Sequence, residues 1–116
     1  MKTSISGIIL RVAQKQITAD FYAKIGLNFR EHSHGGPLHY ECLDISPAFV
    51  AEIYQSSPAY PDDALMLTVE SISEVLDIAK TFDISPRGMI KETDEIRFIY
   101  ITDPDGHDVM LVENKS

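Results

Sequence analysis

The chain has a single cysteine, Cys42, no tryptophan, and only 10 basic residues against 18 acidic ones. A lone cysteine rules out an internal disulfide, suits a reducing compartment, and reads as a small buried apolar side chain rather than a nucleophile. A formal charge of -8 with no basic run repels a phosphate backbone, so nucleic acid is not expected as a partner. Nothing approaches the roughly 18 consecutive apolar residues of a membrane helix, and Met1-Lys2-Thr3-Ser4 leads into a strand pattern rather than a secretory leader. The expectation is a cytoplasmic protein with no membrane partner. Also missing are a glycine-rich phosphate loop between strand and helix, a nucleophile elbow and any paired-cysteine motif. These gaps remove most of the familiar catalytic signatures.

Apolar residues make up 44% of the 116 residues, which suits one packed domain, 1–116. Ile5 to Val12 is rich in β-branched residues and predicts a strand. Gln16 to Ile25 carries apolar residues at Ile17, Phe21 and Ile25, a helical spacing, and Gly26 supplies the stop. Three short strands are then predicted, Leu27 to His32, Leu38 to Leu43 and Phe49 to Tyr54, separated by turns at Gly35-Gly36-Pro37 and Ser46-Pro47. Residues 56–63, with two prolines and no apolar period, read as a linker between a first module of about 1–55 and a second of about 64–113.

The second module repeats the order. Leu65 to Val69 predicts a strand, and Ser71-Ile72-Ser73-Glu74 is a capping box that opens a helix with apolar positions at Val75, Leu76, Ala79 and Phe82. Strands at about Arg87 to Ile90, Ile96 to Thr102 and Asp108 to Val112 follow, the last two separated by Asp103-Pro104-Asp105-Gly106. Ile9-Leu10-Arg11-Val12 aligns with Met66-Leu67-Thr68-Val69, and Ala51-Glu52-Ile53 with Val109-Met110-Leu111. The expected fold class is α+β: two βαβββ modules pairing into an eight-stranded open, barrel-like mixed sheet with the helices outside. A cleft between the free faces is the default place for a ligand.

Phe21-Tyr22-Ala23-Lys24-Ile25-Gly26-Leu27, Leu67-Thr68-Val69 and Asp103-Pro104-Asp105-Gly106-His107-Asp108-Val109-Met110-Leu111 resemble segments of the vicinal oxygen chelate superfamily, which contains glyoxalases, bleomycin-resistance proteins and extradiol dioxygenases. The resemblance covers almost the whole chain. It implies a homodimer and, in metal-dependent members, ligands from the first and last strands of each module. Those positions fall here on Gly7, Glu52, Ala64 and Met110, and only Glu52 has a ligand side chain. Zinc normally needs at least three protein ligands. The resemblance therefore implies a metal-deficient member, with no cofactor and no divalent metal expected.

Strand alternation turns Gly7, Ile9, Val50, Glu52, Tyr54, Met66, Thr68, Asp108, Met110 and Val112 toward the cleft, and the apolar set Ile8, Leu10, Ala51, Ile53, Leu65, Leu67, Val109 and Leu111 toward the helices. Met66 and Met110 either contact a flat or apolar ligand or fill the interior. Glu52 is either a desolvated carboxylate, usable as a general base or as an anchor for a cation, or a carboxylate at a wet cavity mouth. Tyr54 offers a ring face and a hydroxyl. His32 and His34 read as exposed hairpin residues and His107 as ordering the Asp103 turn. His39, Arg97 and Tyr100 have no assigned face. Three functions follow: a metal-independent binder of an aromatic or cationic compound resembling the bleomycin-resistance branch, a glyoxalase-like lyase, isomerase or dioxygenase, or a domain that mainly dimerises and regulates a partner. The second would be either metal-free with Glu52 as base or equipped with divergent metal ligands.

Overall fold

The structure is a computed structural model that describes residues 1–33, 36–46 and 49–115. The chain divides into two compact units, residues 7–63 and residues 1–6 with 64–116. The elements of the first are β1 (Thr3–Val12, from Gly7 onward), α1 (Lys15–Lys24), β2 (Arg30–His32), β3 (His39–Ser46) and β4 (Phe49–Gln55). Its strands lie in the order β2-β3-β4-β1, with β1 and β4 parallel and the other neighbours antiparallel. The second unit contains β5 (Ala64–Val69), α2 (Ile72–Lys80), β6 (Arg87–Glu92), β7 (Ile96–Thr102) and β8 (Asp108–Asn114), in the order β5-β8-β7-β6. There β5 and β8 run parallel, and β6–β7 and β7–β8 antiparallel. The fold is α+β: among the described residues there are eight strands of mixed sheet and two helices, with the βαβββ order twice.

The faint internal repeat becomes definite in the strand register. Gly7 stands opposite Val50 and Ile9 opposite Glu52 in the first unit; Ala64 stands opposite Asp108 and Met66 opposite Met110 in the second. These are the positions the sequence alignment equates. Register follows the hydrophobic pattern rather than individual residues, so the two modules can share it where their side chains differ.

Both helices end in the same way. Gly26, at φ 104°, donates to the Ala23 carbonyl while the Leu27 amide donates to that of Tyr22, a Schellman closure. Asp83, at φ 59°, repeats it, with Asp83 donating to Lys80 and Ile84 to Ala79. A left-handed conformation is costly for a residue with a Cβ. Asp83→Gly is therefore expected to raise unfolding free energy by about 0.5–1 kcal/mol, measured by urea denaturation. At the other end of α2, Ser71 accepts the Glu74 amide at 3.2 Å, the serine half of the predicted capping box.

The first helix corrects the sequence reading. Ile17, Phe21 and Ile25 are 61%, 58% and 64% exposed, and the buried residue of α1 is Ala19. Lys15, Thr18, Ala19 and Tyr22 form a competing helical stripe, and α1 packs on β3 and β4. A small side chain at the contact allows close approach, leaving the bulky stripe outside. The predicted strand from Leu27 shrinks to Arg30–His32, because the Leu27 amide is spent closing the helix. In contrast, β6 runs on through Lys91 and Glu92, where Glu92 pairs with Arg97 at 3.3 Å and Lys115 at 2.9 Å.

Each unit has its own apolar packing. Val69, Ile72, Ile99, Ile101, Val109 and Leu111 form the core of the second, with Leu67, Val75, Leu76 and Ile84 against it. In the first, Cys42, Ala51 and Ile53 are buried beside Ala19, so the cysteine is the small core residue expected. The set assigned to the helix side is not uniformly buried: Ile8 is 36% and Leu65 39% exposed.

Candidate functional site

Strands β3 and β4 sort their side chains by parity. Cys42 opposes Ala51 and Tyr40 opposes Ile53, which places the apolar set on one face; Glu41 opposes Glu52 on the other. His39, two residues before Glu41, and Tyr54, two after Glu52, share that second face. Arg11 stands opposite Tyr54 on β1, and Ile9 opposite Glu52. Period-two alternation thus converts His39-Tyr40-Glu41 and Glu52-Ile53-Tyr54 into one polar surface above an apolar one.

His39 is at its centre and is 1% exposed. Its Nδ1 lies 3.3 Å from the Pro37 carbonyl oxygen, which can only accept, so Nδ1 carries a proton. Its Nε2 then points at Glu52, 3.2 Å away, and Glu41, 3.5 Å away. The ring stacks on Tyr54 with centroids 4.3 Å apart and planes within 11°. The Arg11 guanidinium lies 4.5 Å from the centroid of the same Tyr54 ring and 5.0 Å from that of Tyr60. The second oxygen of Glu41 faces His32, whose Nδ1 is 3.9 Å away and whose ring meets His39 edge-on at 5.5 Å.

Burial by itself pushes the His39 pKa down, but the Glu52 carboxylate, the Pro37 carbonyl and Glu41 together raise it above 6.5. A raised folded-state value means that charging His39 stabilises the fold below the unfolded value, and that the benefit is lost as pH rises through the folded one. In chelator-treated protein, the stability gap between the wild type and His39→Gln is expected to be widest below about pH 6.5 and above the carboxylate range. It should narrow toward alkaline pH in denaturant titrations.

Of the residues the sequence assigned to the cleft, Gly7, Ile9, Val50, Glu52 and Tyr54 lie in the first unit. Ile9 and Glu52 are buried and Tyr54 is half-buried, in contact with His39 and Arg11. Met66, Thr68, Asp108 and Met110 lie in the second unit and share one face of β5 and β8. Tyr100, opposite Met110, joins that face, whereas Arg97 faces the other way and pairs with Glu113 at 2.9 Å. Asp108, 4% exposed, is held by Arg87 at 2.7 and 3.3 Å. His107 lies 2.9 Å from Asp103 and orders its turn. His32 is half-buried beside His39 rather than an exposed hairpin residue, and His34 lies outside the described residues.

Sequence reasoning left His39 without a face and did not single out Glu41. Their side of the sheet depends on the β3–β4 register, which shifts between Cys42 and Ser46, so counting back from Glu52 across the turn gives no parity. The available signal was local: His39 and Glu41 flank Tyr40 and precede the buried Cys42. An open depression of about 690 Å³ in the second unit includes Thr68, Lys2, Glu70 and Asn114. It has none of the clustered chemistry of the β3–β4 face.

By sequence, no family model and no curated protein matches the chain. Solved structures do. A hypothetical protein from Bacillus halodurans is similar with a TM-score of 0.71 at 12% identity, over 100% of this chain and 97% of that one. A glyoxalase/bleomycin resistance protein/dioxygenase superfamily member from Vibrio splendidus scores 0.67 at 10% identity, over 97% and 99%. Methylmalonyl-CoA epimerase from Streptomyces coelicolor scores 0.70 at 11% identity, over 97% and 95%. The chain has the vicinal oxygen chelate fold. On that fold the ligand positions implied by the resemblance hold Gly7, Glu52, Ala64 and Met110. Three of these side chains are a hydrogen, a methyl and a thioether, so a family-type metal centre does not fit this chain.

Proposed function

We propose that this vicinal oxygen chelate fold protein binds a small cationic or aromatic compound on the β3–β4 face, in the manner of the bleomycin-resistance branch and without a metal at the four family positions. The observation that carries this reading is the pair of carboxylates, Glu41 and Glu52, converging on a buried imidazole beside the ring of Tyr54. The two carboxylates that flank Nε2 are a local concentration of negative charge that favours a cation, although Arg11 and Arg30, the latter opposite Glu41, bring positive charge to the same face. The Arg11 guanidinium lies over the rings of Tyr54 and Tyr60, so these rings accept a cation, and a planar cationic ligand would take that place by displacing Arg11. Thermal-shift screening of the purified chain against planar cationic and neutral aromatic compounds tests the reading. It is supported by hits that Glu41→Gln weakens, and abandoned if no compound stabilises the wild type.

A second reading rests on the 3.2 Å Glu52–His39 pair: proton transfer by an isomerase-type enzyme. Several neighbours of this fold are methylmalonyl-CoA epimerases, one in complex with methylmalonyl-CoA. Exchange of a substrate C–H proton with deuterated solvent, lost in Glu52→Gln, would favour it over simple binding.

A further inference from the structure

We propose that His39, Glu41 and Glu52 form a divalent transition-metal site with a ligand set of its own, two of its three donors coming from β3 rather than from the family positions. The proposal rests on reading this face as the binding site and names the cation it takes first.

The argument begins with the proton on Nδ1. The Pro37 carbonyl holds that proton on Nδ1, so in the neutral ring Nε2 presents a lone pair to two carboxylate oxygens, and three electron-rich atoms converge. Such an arrangement calls for positive charge between them. The donor atoms all lie within 4.8 Å of one another. Four donors around a tetrahedral ion at 2.0–2.2 Å are about 3.3–3.6 Å apart, and those of an octahedral ion about 0.4 Å closer. The Nε2 separations of 3.2 and 3.5 Å fall in this range, and the 3.5 Å one is long for a hydrogen bond. Rotation of a terminal carboxylate adjusts the remaining edge.

The surroundings agree. A metal-ligating histidine usually donates its other ring N–H to a carbonyl or carboxylate, which fixes tautomer and orientation, and Pro37 does this for His39. Stacking on Tyr54 holds the ring in plane. One imidazole and two carboxylates form a mixed nitrogen and oxygen set, suited to zinc, nickel, cobalt or manganese and poorly suited to calcium or magnesium, which take oxygen ligands. Two carboxylates also neutralise a divalent charge. Three protein ligands leave positions open, so a small molecule with donor atoms can complete the shell.

The test is calorimetric titration of the chelator-treated full chain with Zn²⁺ and Ni²⁺ alone, followed by thermal shift. One ion per chain is expected. His39→Gln and Glu52→Gln should each weaken it beyond the roughly 10- to 100-fold typical of losing an outer-shell partner. Glu41→Gln, on the more exposed ligand, provides a variant least open to folding failure and should also weaken it. His107→Gln, at an exposed histidine, should bind as the wild type does. No uptake, or equal uptake by wild type and Glu41→Gln, would overturn the metal site. Binding of aromatic cations by the metal-free chain alongside no uptake would remove the metal and leave the proposed function standing; uptake without any compound binding would do the reverse.

Discussion

Glu52→Gln is expected to cost binding far more than it costs the fold. Glutamine preserves the volume and one acceptor oxygen but removes the charge. A hydrogen bond to a charged group contributes about 1.5–3 kcal/mol, so the affinity of a cationic ligand should fall about 10- to 100-fold by calorimetry. Breaking a fully buried ion pair ordinarily costs about 3–5 kcal/mol, because the remaining charge is stranded. His39 escapes that penalty by releasing its proton, and Glu41 remains 3.5 Å away. The stability loss should therefore stay below about 2 kcal/mol in urea titrations. A loss of 3 kcal/mol or more, roughly the full cost of a stranded charge, would mean that His39 cannot neutralise.

Leu111→Ala is expected to produce the largest change in stability. Leu111 is 1% exposed on β8, in the core built with Ile72, Ile99, Ile101 and Val109. Removing three buried carbons costs about 2–5 kcal/mol, depending on how far the site collapses. At about 4–8 °C per kcal/mol for a domain near this size, the midpoint should fall by at least about 8 °C in a calorimetric scan. Met110→Ala, on the other face of the same strand and half-buried, should cost less.

The scaffold was more legible in the sequence than the site. Strand alternation, the Gly26 stop and the Ser71 cap depend on neighbouring residues alone, and the structure realises each of them. The orientation of α1 was not legible, because Ile17, Phe21 and Ile25 compete with the stripe through Ala19, and packing against β3 and β4 decides between them. The same limit hid the site. Glu52 was recognised from its place in the repeat, but His39 and Glu41 reach it only through a hairpin whose register shifts, a property set by pairing. Arg97 and Tyr100 differ in parity along β7 and so face opposite sides, but which side each takes is known only from the partners Glu113 and Met110.

The measurement that tests the central claim most directly is a heteronuclear NMR titration of the labelled chain with the strongest cationic aromatic compound from the thermal-shift screen. The account predicts that the largest shifts fall on His39, Glu41, Glu52 and Tyr54, with the His39 ring signals moving first. Shifts concentrated instead on Lys2, Thr68, Glu70 and Asn114, around the open depression of the other unit, would contradict it.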